Sequence, residues 1–257
     1  MHYEILTIQA TQPNTGAAGT ANTGDSLVVK NGKGKIHTLA GWGSRQVAGF
    51  SQLIVPSGHD TTRNYRAGVA AALGQLTMPL DLQMKLDAQE VIASTIAGSN
   101  TAGDIELDSF LVYYSDFPGI NMRSITPQQL ESRVDKYTTV ESSITAVTTG
   151  QYAEEVITAD SDLLKANTDY AVIGMSSRTG CHAMTLRAPD FGNVRVGVPG
   201  NLRPEVTNQF FLLLSRVHGL PLVPVFNTGN KAQVNVGFCM NETAADTVVT
   251  LYLAMLK

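Results

Sequence analysis

The sequence predicts an all-β protein built as two tandem β-sandwich units with a few short helices in the connections. Three observations carry this. Strand-like runs recur about every 8 to 12 residues with turn residues between them, the spacing of sandwiches and barrels. A segment repeats at a constant offset of 133 residues. Charged residues make up only 16% of the 257 positions while apolar ones reach 43%, so a full core is available and the surface must be polar but largely uncharged. Globular proteins usually carry roughly 25% charge, and charge is depleted at the centres of protein interfaces.

The elements follow in chain order. Residues 10–25 (ATQPNTGAAGTANTGD) are small and polar without a hydrophobic period, and residues 1–24 are read as an N-terminal arm. The first sandwich, residues 25–118, holds runs at Ser26 to Lys30, Ile36 to Gly41, Phe50 to Val55, Leu80 to Leu86, Val91 to Thr95 and Ile105 to Tyr114; Asn64 to Leu76 is an Ala-rich helical candidate. Asp116-Phe117-Pro118-Gly119 breaks the pattern and opens a connector, residues 119–135. There Thr126-Pro127 sets a helix start, because Thr accepts a backbone hydrogen bond as N-cap and Pro suits the first helical position; the helix should end near Val134. The second sandwich, residues 136–257, holds runs at Thr138 to Val147, Tyr170 to Met175, Ala183 to Arg187, Asn193 to Val198, Gln209 to Arg216, Leu222 to Phe226, Val234 to Met240 and Thr247 to Leu256, with one or two helical turns at Asp160 to Ala166.

The repeat ties the halves together. At the offset of 133, Leu39–Arg45 falls on Val172–Arg178, and the identities are Gly41/Gly174, Ser44/Ser177, Arg45/Arg178, Leu53/Leu186 and Pro56/Pro189. Each half then continues with a Gly-rich loop (57–68, 190–200), a long apolar run (80–86, 209–216), a shorter one (91–95, 222–226) and a closing strand introduced by an acidic turn. Units of this length with about eight strands fit a jelly roll better than a seven-strand immunoglobulin sandwich. Arg45 and Arg178 are read as bracing the same turn in each unit, with a ligand clamp as the alternative.

No constellation for catalysis emerges. Gly174-Met175-Ser176-Ser177-Arg178 and Gly49-Phe50-Ser51-Gln52-Leu53 lack the last glycine of a nucleophile elbow. Asn31-Gly32-Lys33-Gly34-Lys35-Ile36 lacks the spacing and the hydroxyl of a phosphate loop, and reads as a hairpin turn or a small anionic contact patch of Lys30, Lys33 and Lys35. The histidines (His2, His37, His59, His182, His218) stand singly, so no pair has metal-ligand spacing. Glu154-Glu155 and Asp160/Asp162 read as solvated faces. Cys181 and Cys239 read as buried thiols. The expectation is a non-enzyme without cofactor or metal. A net charge of −4 with no basic arm argues against direct nucleic-acid binding. The opening MHYEILTIQATQPNTG has neither the basic nor the apolar region of a signal peptide, so secretion by that route is not expected.

The tandem of two eight-strand units in 257 residues resembles the double jelly-roll major capsid proteins of tailless icosahedral viruses, including membrane-containing bacteriophages. That resemblance implies a homotrimer forming a pseudo-hexagonal capsomer, a virion location after assembly in the host cytoplasm, and copies of the chain as main partner. Minor capsid or vertex proteins and an internal membrane are the further partners it implies. The expected assembly contacts are Thr15, Thr20 and Thr23 in the arm, His59 and Arg63 in the 57–79 loop, and Asn193, Asn201 and Arg203 in the 190–208 loop. Deleting residues 1–24 should then leave a folded trimer that no longer forms shells. The alternative is a non-enzymatic β-sandwich binding module, lectin-like or part of a receptor-binding spike, which would show an exposed aromatic residue with polar neighbours. Trp42 does not suit that role, since its repeat partner is Met175.

Overall fold

A computed structural model describes residues 2–11, 22–23, 27–28, 34–43, 49–54, 65–69, 75–77, 84–87, 89–97, 105–114, 122–145, 152–157, 163–178, 181–199, 204–240 and 246–257. The chain divides into an N-terminal unit, Ile5–Pro118, and a C-terminal unit made of Gly119–Lys257 together with Met1–Glu4. No helix among the described residues is long and apolar enough to cross a membrane.

In the N-terminal unit one sheet has the order β1 (His2–Thr11), β10 (Ile105–Tyr114), β4 (Gly34–Gly43), β7 (Gln75–Thr77), with β8 (Met84–Leu86) also on β4. The second sheet runs β2 (Asn22–Thr23), β9 (Val91–Ala97), β5 (Gly49–Ile54), β6 (Tyr65–Val69), with β3 (Leu27–Val28) also on β9. In the C-terminal unit the first sheet is β11 (Ser124–Ile125), β17 (Val223–Asn227), β14 (Asp169–Ser177), β19 (Thr247–Leu256), β12 (Val134–Ile144). Its second sheet is β13 (Tyr152–Val156), β18 (Asn235–Met240), β15 (Cys181–Arg187), β16 (Val196–Pro199). Counting the main strands from first to eighth within each unit, both give the sheets 1-8-3-6 and 2-7-4-5. That is the strand order of a jelly roll, present twice.

The repeat offset has a structural meaning. Leu39 and Val172 sit in the third strands of their units, Leu53 and Leu186 in the fourth. By the eighth strands, Ile105–Tyr114 and Thr247–Leu256, the offset has grown to 142. The extra residues lie in a helical insertion between β16 and β17, α2 (Pro204–Thr207) and α3 (Phe210–His218). This corrects the reading of Gln209 to Arg216 as a strand. A short apolar run does not distinguish strand from buried helix by composition; here Phe210, Phe211, Leu214 and Ser215 bury one helical face, and Gly219 closes the helix at φ 65°. The strands equivalent to one another are therefore β7 and β17, and β9 and β18, not 80–86 with 209–216 or 91–95 with 222–226.

Two further readings are corrected. Within the helical candidate Asn64 to Leu76 the described residues are strands: Tyr65–Val69 is β6, hydrogen-bonded along β5, and Gln75–Thr77 is β7; residues 64 and 70–74 lie outside the described residues. Residues 2–11 are not a free arm but β1, the first jelly-roll strand. Its start belongs to the C-terminal unit, where the buried Tyr3 donates its hydroxyl to Leu222 O at 3.2 Å and its ring lies 5.9 Å from that of Phe211.

The connector helix α1 (Pro127–Arg133) begins where Thr-Pro places it. The Thr126 hydroxyl accepts from Gln129 N and the Gln129 side chain accepts from Thr126 N, closing a reciprocal capping box. Leu130 of α1 then buries on the first sheet of the C-terminal unit among Ile125, Ala171, Val223, Val225, Ala254 and Leu256, with Leu212 of α3 packed beside it.

Candidate functional site

Four groups of side chains in the C-terminal unit combine charge, exposure or burial in ways a plain sandwich does not require. The first is a polar tie at one end of β14 and β17. Arg123 in the connector bonds Asp169 at 2.6 Å and Asp190 at 3.1 Å, while Asn227 donates its side-chain amide to Asp169 at 2.7 Å and its backbone N–H to Asp190 at 3.1 Å. Partial burial works to raise the Asp169 carboxyl, but the hydrogen bonds from Arg123 and Asn227 and the charges of Arg123 and Arg133 outweigh it and hold it below the usual carboxylate range. The Arg123 guanidinium is held above its ordinary value, chiefly by Asp169. Because the folded value of Asp169 is depressed, its contribution is present above its unfolded value near 4 and is lost as pH falls further. Asp169→Asn should cost about 1 kcal/mol at pH 7, a modest figure because Arg123 is substantially exposed, and the gap between variant and wild type should close below pH 3 in urea titrations.

The second group lies on the β13–β18–β15 surface. Glu154 accepts from Arg187 and Arg195, each at 2.5 Å, and the Arg195 guanidinium sits 4.9 Å from the centre of the Tyr152 ring. The expectation that Glu154-Glu155 forms a solvated face fails for Glu154, whose side chain is only 13% exposed; Glu155 is exposed as expected. A Cβ at Gly237 would press on Glu154 Cγ and overlap the Thr185 hydroxyl. Period-two alternation leaves Glu154 and Gly237 paired on one face of the sheet, which brings the acid to the arginines.

The third is an exposed neutral patch on the other sheet. Tyr137 of β12 is 66% exposed and lines a cleft with Thr139, Tyr252, Ile173 and Asn208, of about 470 Å³. The Tyr252 hydroxyl is 3.2 Å from that of Ser176. At the far end of the same strands Arg178 bonds Glu141 of β12 at 2.6 Å; Arg45 lies outside the described residues.

The fourth group is buried. Cys181 and Cys239 are free thiols, as the sequence suggests. Burial pushes the Cys181 thiol up to about 12, against a smaller opposing effect from Ser177, and raises Cys239 as well. Such thiols are poor nucleophiles. His182, between them in the core, is one of the singly scattered histidines, and nothing in the sequence distinguishes it. Among the described residues no cluster of three or more His, Cys, Asp or Glu has metal-binding geometry.

The expected contact residues are only partly placed. Thr15, Thr20, His59, Arg63, Asn201 and Arg203 lie outside the described residues, as do Lys30, Lys33 and Asp160/Asp162. Thr23 sits in β2 opposite Thr95. Asn193 is exposed at a left-handed φ of 59°, in the turn before β16. Thr23 belongs to the N-terminal unit and Asn193 to the C-terminal unit.

Fold and surface together define a class, the tandem double jelly roll with an uncharged polar patch on its second unit. No protein family and no curated protein matches the chain. Among solved structures it is similar to one described as showing the triple jelly-roll fold and turret assembly of an archaeal virus, at 9% identity and a TM-score of 0.25, over 97% of this chain and 59% of that one. It is also similar to the major capsid protein P2 of bacteriophage PM2, at 10% identity and a TM-score of 0.25 over 98% of both chains. The PBSX exported protein XepA matches at 10% identity and a TM-score of 0.25, over 98% of this chain and 86% of that one.

Proposed function

We propose that this chain is a structural virion protein, a major capsid protein whose homotrimers form pseudo-hexagonal blocks of an icosahedral shell. The observation that carries the reading is the presence, in one chain, of two units with the same strand order. Three copies around a threefold axis then present six similar wedges, so one chain can fill a sixfold position in a closed lattice using cyclic symmetry alone. The low charge supports the same reading, because a surface covered by copies of itself gains from neutral polar groups that desolvate at little cost. Thr15, Thr20, Thr23, His59, Arg63, Asn193, Asn201 and Arg203 are the proposed assembly contacts. In this reading the partners are further copies, with minor capsid or vertex proteins and an underlying membrane as secondary ones, and the genome is not bound directly.

One observation favours a second reading, a non-enzymatic binding module: Tyr137 is an exposed aromatic side chain beside neutral polar groups. Purified protein distinguishes the two. Light scattering and negative-stain microscopy should show a trimer, and hexagonal sheets or shells on concentration. A stable monomer that binds immobilised glycans through Tyr137 would overturn the capsid reading and establish the other.

A further inference from the structure

Among the described residues, His182 stands out as a buried ionisable side chain. It is fully buried, and neither ring nitrogen has a hydrogen-bond partner. A buried polar group without a partner costs on the order of 1–3 kcal/mol, so a core position occupied by such a ring is held against its own stability.

Its place in the fold is equally specific. Cys181 pairs with Met240 and Ala183 with Cys239, so His182 is the extra residue of a β-bulge between β15 and β18. Bulges interrupt the ladder and locally weaken pairing. The strand around it is buried throughout, from Cys181 to Leu186. Among the described residues, the titratable or charged groups on the elements packed most closely against its strand are Cys181 and Arg187 of that strand, Cys239 of β18, and Asp169 and Tyr170 of β14, while β16 carries none. Burial of the ring disfavours its charged form and lowers its pKa.

We propose that His182 is an acid-operated latch: neutral, it fills the bulge and keeps β15 paired with β18; protonated, it opens that pairing and exposes the middle of the second sheet. The proposal does not rest on the capsid reading and holds for a monomer as well.

The sign follows from linkage. Burial lowers the folded imidazole to about 3 against an ordinary 6.5. The open form therefore binds more protons at every pH between these values, and the closed form loses ground as pH falls below 6.5. At pH 4.5 the ratio of open to closed should have risen roughly a hundred-fold over neutral pH.

The chain supplies its own reporters, since Cys181 and Cys239 are its only cysteines, are buried, and flank the bulge. Labelling of the full-length protein with a dipyridyl disulfide, a reagent that works in acid, should accelerate at least about ten-fold between pH 7 and pH 4.5, after correction against a short thiol peptide. The far-UV signal should still be that of a β protein. In His182→Leu the corrected rate should change less than about two-fold over the same range. Equal acceleration in wild type and variant, or none in the wild type, overturns the latch. Should His182→Leu fail to fold, ring-carbon NMR of the wild type decides: the His182 imidazole must stay neutral until the thiols open and then protonate with them. A ring that titrates near 6.5 with both thiols still protected also overturns it.

Discussion

Gly174→Ala should unfold the C-terminal unit under conditions where wild type is stable. Gly174 lies in β14 where the α2–α3 turn crosses the sheet, and a Cβ there would overlap Thr207 O and the carbonyl group of Asn208. These are backbone atoms, and they cannot swing away. The Asn208 N–H is tied to Pro204 O at 3.0 Å, Leu213 N to Gln209 O at 2.9 Å, and α3 is anchored by the buried Phe210, Phe211 and Leu214. Relief therefore requires lifting the helices off the sheet, a cost of about 3 kcal/mol or more by comparison with other overpacked cores. Gly219→Ala is the control. That glycine has φ 65° but nothing within 4 Å of where a Cβ would stand, so only backbone strain of about 1 kcal/mol is expected. Urea melts should separate the two variants by about 2 kcal/mol or more; equal midpoints would show that the close approach over Gly174 is not rigid.

Removal of residues 1–11 should be still more damaging. Were residues 1–24 an arm, deletion would leave a folded trimer defective only in shell formation. The fold requires a different outcome, because His2–Thr11 is a ten-residue strand hydrogen-bonded to β10. Its loss would leave one side of β10 unpaired and uncover that sheet. The same cut removes Tyr3, which is fully buried in the C-terminal unit, and loss of a buried aromatic side chain alone costs about 3–5 kcal/mol. Circular dichroism and limited proteolysis of the truncated chain should show an unfolded N-terminal unit. A folded, protease-resistant trimer would restore the arm interpretation.

Much of the architecture is legible in the sequence because it depends on local pattern. Ile105 to Tyr114 and Thr247 to Leu256 are legible to the residue, each strand being long, apolar-patterned and bounded by turn residues. The α1 start is legible because Thr126 and Gln129 cap it reciprocally and Pro127 occupies its first position, all within one turn. Gln209 to Arg216 misleads since Phe-Phe-Leu-Leu-Leu suits either a buried strand or a helix; Arg216, His218 and Gly219 at its end are the helical signal. The ionic groups are less legible. Arg123, Asp169, Asp190 and Asn227 lie in four separate segments, and only folding makes them one tie. Glu154 looks solvated in sequence because its partners Arg187 and Arg195 are more than thirty residues away in the chain.

By itself the sequence determined that this protein is all-β, that it contains a duplicated unit, and that its surface is polar and poorly charged. Composition and short-range periodicity suffice for those properties, since they set which residues can be buried and how often the backbone must turn. Only the tertiary structure decided the 1-8-3-6 and 2-7-4-5 sheet orders, the place of residues 2–11 as a strand rather than an arm, and the burial of His182 without a hydrogen-bond partner. Each depends on contacts between residues far apart in the chain, where the energy of pairing and packing outweighs any local preference.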